Sequence, residues 1–140
     1  MSHYATMLLH EQVYGDRYRI EFGKRIESLY GVDRFVGAER PLLRTDGTRA
    51  GDLTVTYNKS AWVMWMLQQE MGRDNILAGL RAFIAKYNPD PDFPVLLDML
   101  PVLRGFAPDS ARFRCLLAPV VRGPGGAGVP ALRRDEDSGE

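Results

Sequence analysis

The apolar positions of this chain recur at helical rather than alternating intervals, in blocks separated by glycine and proline. Over residues 2–14, Tyr4, Met7, Leu8 and Glu11 fall at helical spacing. Gly15 is placed to end that helix, since glycine takes the left-handed turn that closes a C-terminus. Asp16 can cap a second helix over 16–30, with Tyr18, Phe22, Ile26 and Leu29 as its apolar stripe and Arg17, Glu21 and Arg25 as an outer charged ladder. Residues 31–54 break the pattern. Gly31, Gly37, Pro41, Gly47 and Gly51 are scattered among charges, which predicts a long loop of the kind that often lies over a cleft. A third helix is predicted over 58–71, with apolar residues all round its axis, so it should be buried on most sides. After Gly72, Asp74 caps a fourth helix carrying Leu77, Leu80, Phe83, Ile84 and Tyr87 on one face. Asn88-Pro89-Asp90-Pro91 is a strong break. Pro94 suits the first turn of a fifth helix lined by Val95, Leu96, Met99, Leu100, Leu103 and Phe106, which Pro101 should kink or split. A sixth helix begins near Asp109 and includes Phe113, Leu116 and Leu117.

The pattern therefore predicts an all-α, multi-helix bundle over residues 1–121, built around one buried helix. Residues 122–140, rich in Gly and Pro and then in charge, are expected to be a disordered tail. A chain of 140 residues suffices for one domain with a modest core. Its 45% apolar and 26% charged residues are ordinary for a globular protein, and the formal net charge is zero. No basic stripe points to nucleic acid or to a membrane surface. No apolar run reaches the length of a membrane span, and the N-terminal residues lack a signal-peptide pattern, so a cytoplasmic location is expected. The single cysteine, Cys115, excludes an intrachain disulfide and a multi-thiolate metal site, and reads as a small apolar core residue.

The densest chemical signal is Thr54-Val55-Thr56-Tyr57-Asn58-Lys59-Ser60-Ala61-Trp62-Val63-Met64-Trp65-Met66-Leu67. A phenol is protonated at neutral pH and can donate one hydrogen bond to a developing oxyanion. Tyr57 is predicted at the foot of the third helix, where it would be rigid with its hydroxyl over a cleft. The plain alternative is a tyrosine that packs at a helix terminus with its hydroxyl in water, and spacing alone favours it. In order, Tyr57, Lys59, Ala61, Met66, Leu67 and Gly72 match the segment that carries the transition-state tyrosine in the aminopeptidase-N-like zinc metallopeptidases, the gluzincins of membrane alanyl aminopeptidase type. Ser60 departs from that pattern by replacing a glycine. Upstream, Met1-Ser2-His3-Tyr4-Ala5 resembles the stretch directly after the family's third zinc ligand, a glutamate, with Tyr4 as the matching tyrosine. Glu39, Pro41 and Leu42 resemble a Glu-x-Pro-Leu stretch of a bacterial, often membrane-associated branch. The resemblance spans about residues 1–113.

The resemblance implies the C-terminal helical part of a thermolysin-like catalytic domain, with zinc and a peptide substrate in the parent family and Tyr57 as oxyanion stabiliser. It also implies that the chain starts just after the metal site. No zinc motif stands in the sequence itself. His10-Glu11 begins an H-E-x-x-H string, but Tyr14 occupies the place of the second histidine. His3 and His10, the only histidines, are seven residues apart, about 10 Å along a helix, too far to share an ion; they read as partly exposed surface residues. No zinc and no other cofactor is therefore expected in this chain, and no hydrolysis by it alone. Glu21, Glu27, Asp33 and Glu39 form no acid–base pair, and Asp90, Asp92 and Asp98 lack calcium-loop spacing. The tail departs from the family after Phe113, as a truncated or frameshifted reading frame would. Two rival readings stand beside the fragment. One is a non-catalytic helical interaction module, or homo-oligomer, using exposed apolar faces that include Trp62, Trp65 and Met66. The other is an enzyme completed by a second, zinc-bearing chain.

Overall fold

The computed structural model describes residues 2–33, 40–88 and 94–122. All regular structure among these residues is helical: α1 Ser2–Tyr14, α2 Asp16–Asp33, α3 Asp52–Thr54, α4 Ser60–Met71, α5 Arg73–Tyr87, α6 Leu96–Gly105 and α7 Ser110–Arg122. A short 3-10 turn occupies Leu42–Arg44, and a π-helical turn, Val55–Lys59, joins α3 to α4. No described helix is long and apolar enough to cross a membrane.

The α1–α2 hairpin turns on Gly15, whose φ of +86° is open only to a residue without a side chain. Its amide reaches back to the Glu11 carbonyl at 3.1 Å, the bond that closes a left-handed helix terminus. Helix α4 is the centre of the molecule and packs against α1, α5 and α7. Ala61, Val63, Met64, Leu67 and Met71 are buried along it, as its all-round apolar pattern predicts. They meet Tyr4 and Met7 of α1, Ile26 of α2, Ile76 of α5, Met99 and Leu103 of α6, and Phe113 and Leu117 of α7 in one core. Helices α5 and α6 approach closely at Gly79, where a Cβ would stand 2.9 Å from Leu103 Cδ2.

Several predicted elements are displaced or lengthened. On α2, Gly23 and Ile26 are buried and Phe22 partly buried, while Tyr18 and Leu29 are exposed; Gly23 lets the Trp62 ring lie against the helix backbone, which rotates the stripe. On α5 the core contributors are Ile76 and Gly79, with Leu77, Leu80 and Phe83 partly buried and Ile84 exposed. The predicted loop over 31–54 is shortened from both ends, by α2 running to Asp33 and by α3 beginning at Asp52. Helix α6 starts at Leu96, with the Asp98 carboxylate accepting the Val95 amide at 2.8 Å, and continues through Pro101 unsplit. Helix α7 begins near Asp109 as predicted, and the Asp109 carboxylate caps it, accepting the amides of Ala111 at 2.8 Å and Arg112 at 3.0 Å. Those bonds hold its carboxyl below the usual carboxylate range. Cys115 is exposed on α7 rather than in the core. Glu39, Asp90, Asp92 and the tail beyond Arg122 lie outside the described residues.

Candidate functional site

Two surfaces of the helical stretch 52–71 carry side chains with chemistry, and the π turn organises both. Its start is fixed by an ion pair. The carboxylate of Asp52, in the first turn of α3, is buried and receives Arg40 Nε at 3.1 Å and Arg40 Nη2 on its second oxygen. Arg40 also reaches Asp46 Oδ1 at 2.7 Å, and the Arg49 amide donates to Asp52 at 3.3 Å. The guanidinium holds the Asp52 carboxyl well below the usual range, with Asp52 in turn raising Arg40. This fork-to-fork pairing anchors the segment before α3 onto the helix start. Thr54 adds a bond to Asp33 of α2 at 2.8 Å.

Within Val55–Lys59 the ladder widens, and the Ser60 amide bonds the Val55 carbonyl five residues back. The Ser60 hydroxyl donates to the Thr56 carbonyl and, at 3.3 Å, to that of Tyr57. Where the family pattern has glycine, this chain thus has a side chain that ties the wide turn together. Tyr57 stands inside this turn, six residues into a continuous helical stretch, and not at a helix start as the sequence predicts. Asp52, Leu53 and Thr54 extend the helix upstream because Arg40 and the αL residue Gly51 (φ +88°) set its first turn there.

Tyr57 is 44% exposed, and its ring rests against His3 of α1, with ring centroids 5.6 Å apart. His3 meets Phe22 of α2 edge-on at 5.7 Å, and Phe22 meets His10 at 5.2 Å. Tyr14 and Tyr18 extend the row beyond His10. The two histidines are partly exposed, as expected, and share Phe22 between them. Their Nδ1 atoms are buried without a hydrogen-bond partner. Glu11 is engaged by Arg73 and, at 3.3 Å, by Arg19, whose guanidinium lies 4.3 Å over the Trp65 ring. His3, His10 and Glu11 accordingly do not fit a zinc site: a phenyl ring separates the imidazoles and two cations hold the carboxylate. No group of three or more His, Cys, Asp or Glu among the described residues could hold a metal ion.

Tyr4, the other matched tyrosine, lies in the core. Its hydroxyl donates to Gln68 Oε1 of α4 at 2.6 Å, and both side chains are buried. Burial pushes the phenol up to about 12, with Arg73 and Glu11 acting as smaller, opposed influences. Trp62 and Trp65 are partly buried against the core, and only Met66 of the predicted contact face is open, at 40% exposure. Of the acidic residues, Glu21 pairs with Arg17 and Asp33 with Thr54.

The second surface was not visible in the sequence. A cavity of about 310 Å³ opens between the 3-10 turn, the π turn, α4, α6 and α7. Tyr57 does not line it. Thr56 and Ser60, four residues apart on one face of the helical stretch, line this cavity, while Tyr57 turns toward α1. Comparison with protein-family models, with curated proteins and with solved structures returns no match for this chain.

Proposed function

We propose that this chain is the C-terminal helical part of an aminopeptidase-N-like, thermolysin-type catalytic domain, with Tyr57 as a hydrogen-bond donor to the oxyanion of an attacked peptide carbonyl. One observation supports the reading: the two segments that resemble the family's motifs come together. Tyr57 packs on His3 in the first turn of α1, and Tyr4, one residue on, bonds Gln68 of α4. The phenol is rigidly based in a π turn, a feature that recurs at functional sites, and keeps a solvent-facing edge. This chain's own residues supply the donor and its support, and the metal ligands come from elsewhere, so the chain alone hydrolyses nothing. The test is complementation. The purified chain with Zn²⁺ should leave alanyl and leucyl 4-nitroanilides intact. Mixed with a zinc-bearing half-domain of a family peptidase that lacks its own tyrosine segment, it should restore turnover, and Tyr57→Phe should remove it. Turnover by the chain alone, or restored turnover indifferent to Tyr57→Phe, argues against this assignment.

A second reading, a non-catalytic module that associates through apolar faces, has its own support. Leu9 and Val13, one turn apart on α1, are both more than half exposed. Light scattering separates the two, because a strict monomer across a wide concentration range counts against association.

A further inference from the structure

The geometry points to a binding site for a neutral, mainly apolar molecule bearing one hydroxyl group, in the cavity between the π turn, α4, α6 and α7. The inference is independent of the peptidase reading, since neither Tyr57 nor Tyr4 lines this space.

The walls decide the class of occupant. Leu42, Val63, Met64, Leu67, Leu100 and Leu117 supply an apolar lining from separate segments of the chain, and none of the described lining residues is charged. The polar exceptions are three hydroxyls, those of Thr45, Thr56 and Ser60. Their protons are all committed within the protein. Ser60 donates to the Thr56 carbonyl, Thr56 Oγ1 donates to Thr45 Oγ1 at 3.1 Å, and Thr45 Oγ1 donates to the Leu42 carbonyl at 2.9 Å. What the chain of hydroxyls can still offer is lone pairs, chiefly on Thr56 and Ser60. The polar strip is therefore an acceptor without a cation. A carboxylate or phosphate would meet oxygen lone pairs in an apolar surround, which costs affinity. An alcohol or phenol can donate into the strip while its apolar body fills the rest.

Size narrows the class further. An apolar cavity of about 150 Å³ holds benzene. This one, at about 310 Å³, is twice as large and suits a molecule of about ten to twelve non-hydrogen atoms. It also falls at the lower end of volumes typical for small-molecule pockets, about 300 to 1,000 Å³.

The experiment titrates the whole chain with 2-naphthol, following naphthol fluorescence, with naphthalene and 2-naphthoate as comparison probes. Saturable one-to-one binding of 2-naphthol is expected, severalfold tighter than naphthalene and at least tenfold tighter than 2-naphthoate. Thr56→Val keeps the β-branched shape and removes an acceptor. It should cut the preference for naphthol over naphthalene severalfold and leave naphthalene binding unchanged. Leu100→Trp, which fills the space, should abolish binding of both while the helical circular dichroism persists; if that variant does not fold, Thr56→Val still decides. Three results overturn the assignment: no saturable naphthol binding, naphthoate binding as tight as naphthol, or a naphthol preference that Thr56→Val leaves intact.

Discussion

The helical stretch 52–71 presents one side to α1 and α2 and another to α6 and α7, and the two are finished differently. Toward α1 the packing is closed: Met7 and Tyr4 are buried, Tyr4 satisfies Gln68, and rings from three segments lie edge to face or tilted against one another. Toward α6 and α7 the same stretch borders a cavity that Val63, Met64 and Leu67 help to line, although each of them is itself almost wholly buried. One stretch of apolar sequence serves both sides, so apolar content alone does not decide whether a cavity is left beside it. Neighbouring elements do. The α1–α2 hairpin closes on the single residue Gly15, whereas the cavity side is assembled from a 3-10 turn and helices α6 and α7, which arrive from distant parts of the chain.

That contrast is tested most strongly by truncation. Met7→Ala, on the closed side, removes a side chain with no exposure and should cost about 2–5 kcal/mol, read from chemical denaturation. Leu100→Ala, on the cavity wall, truncates a side chain that is only partly buried against the core and should cost clearly less than Met7→Ala. Equal losses would mean that the two sides are packed alike and that the cavity is closed in solution.

A smaller effect is expected at the buried polar pair. Tyr4→Phe leaves Gln68 Oε1 buried without its donor, at about 1–3 kcal/mol. The pH dependence has a definite sign. The folded-state phenol is raised to about 12, above its unfolded value near 10, so the folded form retains a proton that the unfolded chain releases. The stabilisation from Tyr4 is complete below about pH 10 and falls as pH rises from about 10 to about 12. In Tyr4→Phe this decline should be absent, which a denaturation series over that range will read.

Much of this architecture was legible in the residues and some was not. Gly15, the Gly72 break, the buried run of α4 and the helix start near Asp109 are local signals, and each stands where its chemistry predicts. What failed were signals that depend on partners. Asp52 begins a helix within an apparent loop because Arg40, twelve residues away, pairs with its carboxylate. The stripe of α2 rotates because Trp62 occupies the groove at Gly23. The candidate site divides in the same way: Tyr57 could be singled out from its neighbours, but the cavity is lined by segments as far apart in the chain as Leu42 and Leu117, and no local pattern announces it.

The π turn lies between the two sides, and Ser60 is its test. Ser60→Ala removes the hydroxyl that meets the Thr56 and Tyr57 carbonyls and should cost about 1 kcal/mol. Ser60→Gly, which restores the residue of the resembled pattern, should cost about 1 kcal/mol more through helix propensity. If Ser60→Gly is instead as stable as the parent, the hydroxyl contributes nothing to holding the turn.

The smallest stability effect belongs to the residue with the most chemistry. Tyr57→Phe keeps the ring that packs on His3 and deletes a hydroxyl from a side chain that is almost half exposed. Its stability should therefore stay within about 0.5 kcal/mol of the parent. This near-neutrality is what makes the substitution useful in the complementation assay, because any loss of restored turnover then reports on the phenol and not on the fold. Tyr57→Ala would not serve, since it also removes the ring at the end of the aromatic row. A Tyr57→Phe loss well above about 1 kcal/mol would show the hydroxyl bonded within the fold, and would make Tyr57 a structural tyrosine like Tyr4 rather than a donor held ready for a substrate.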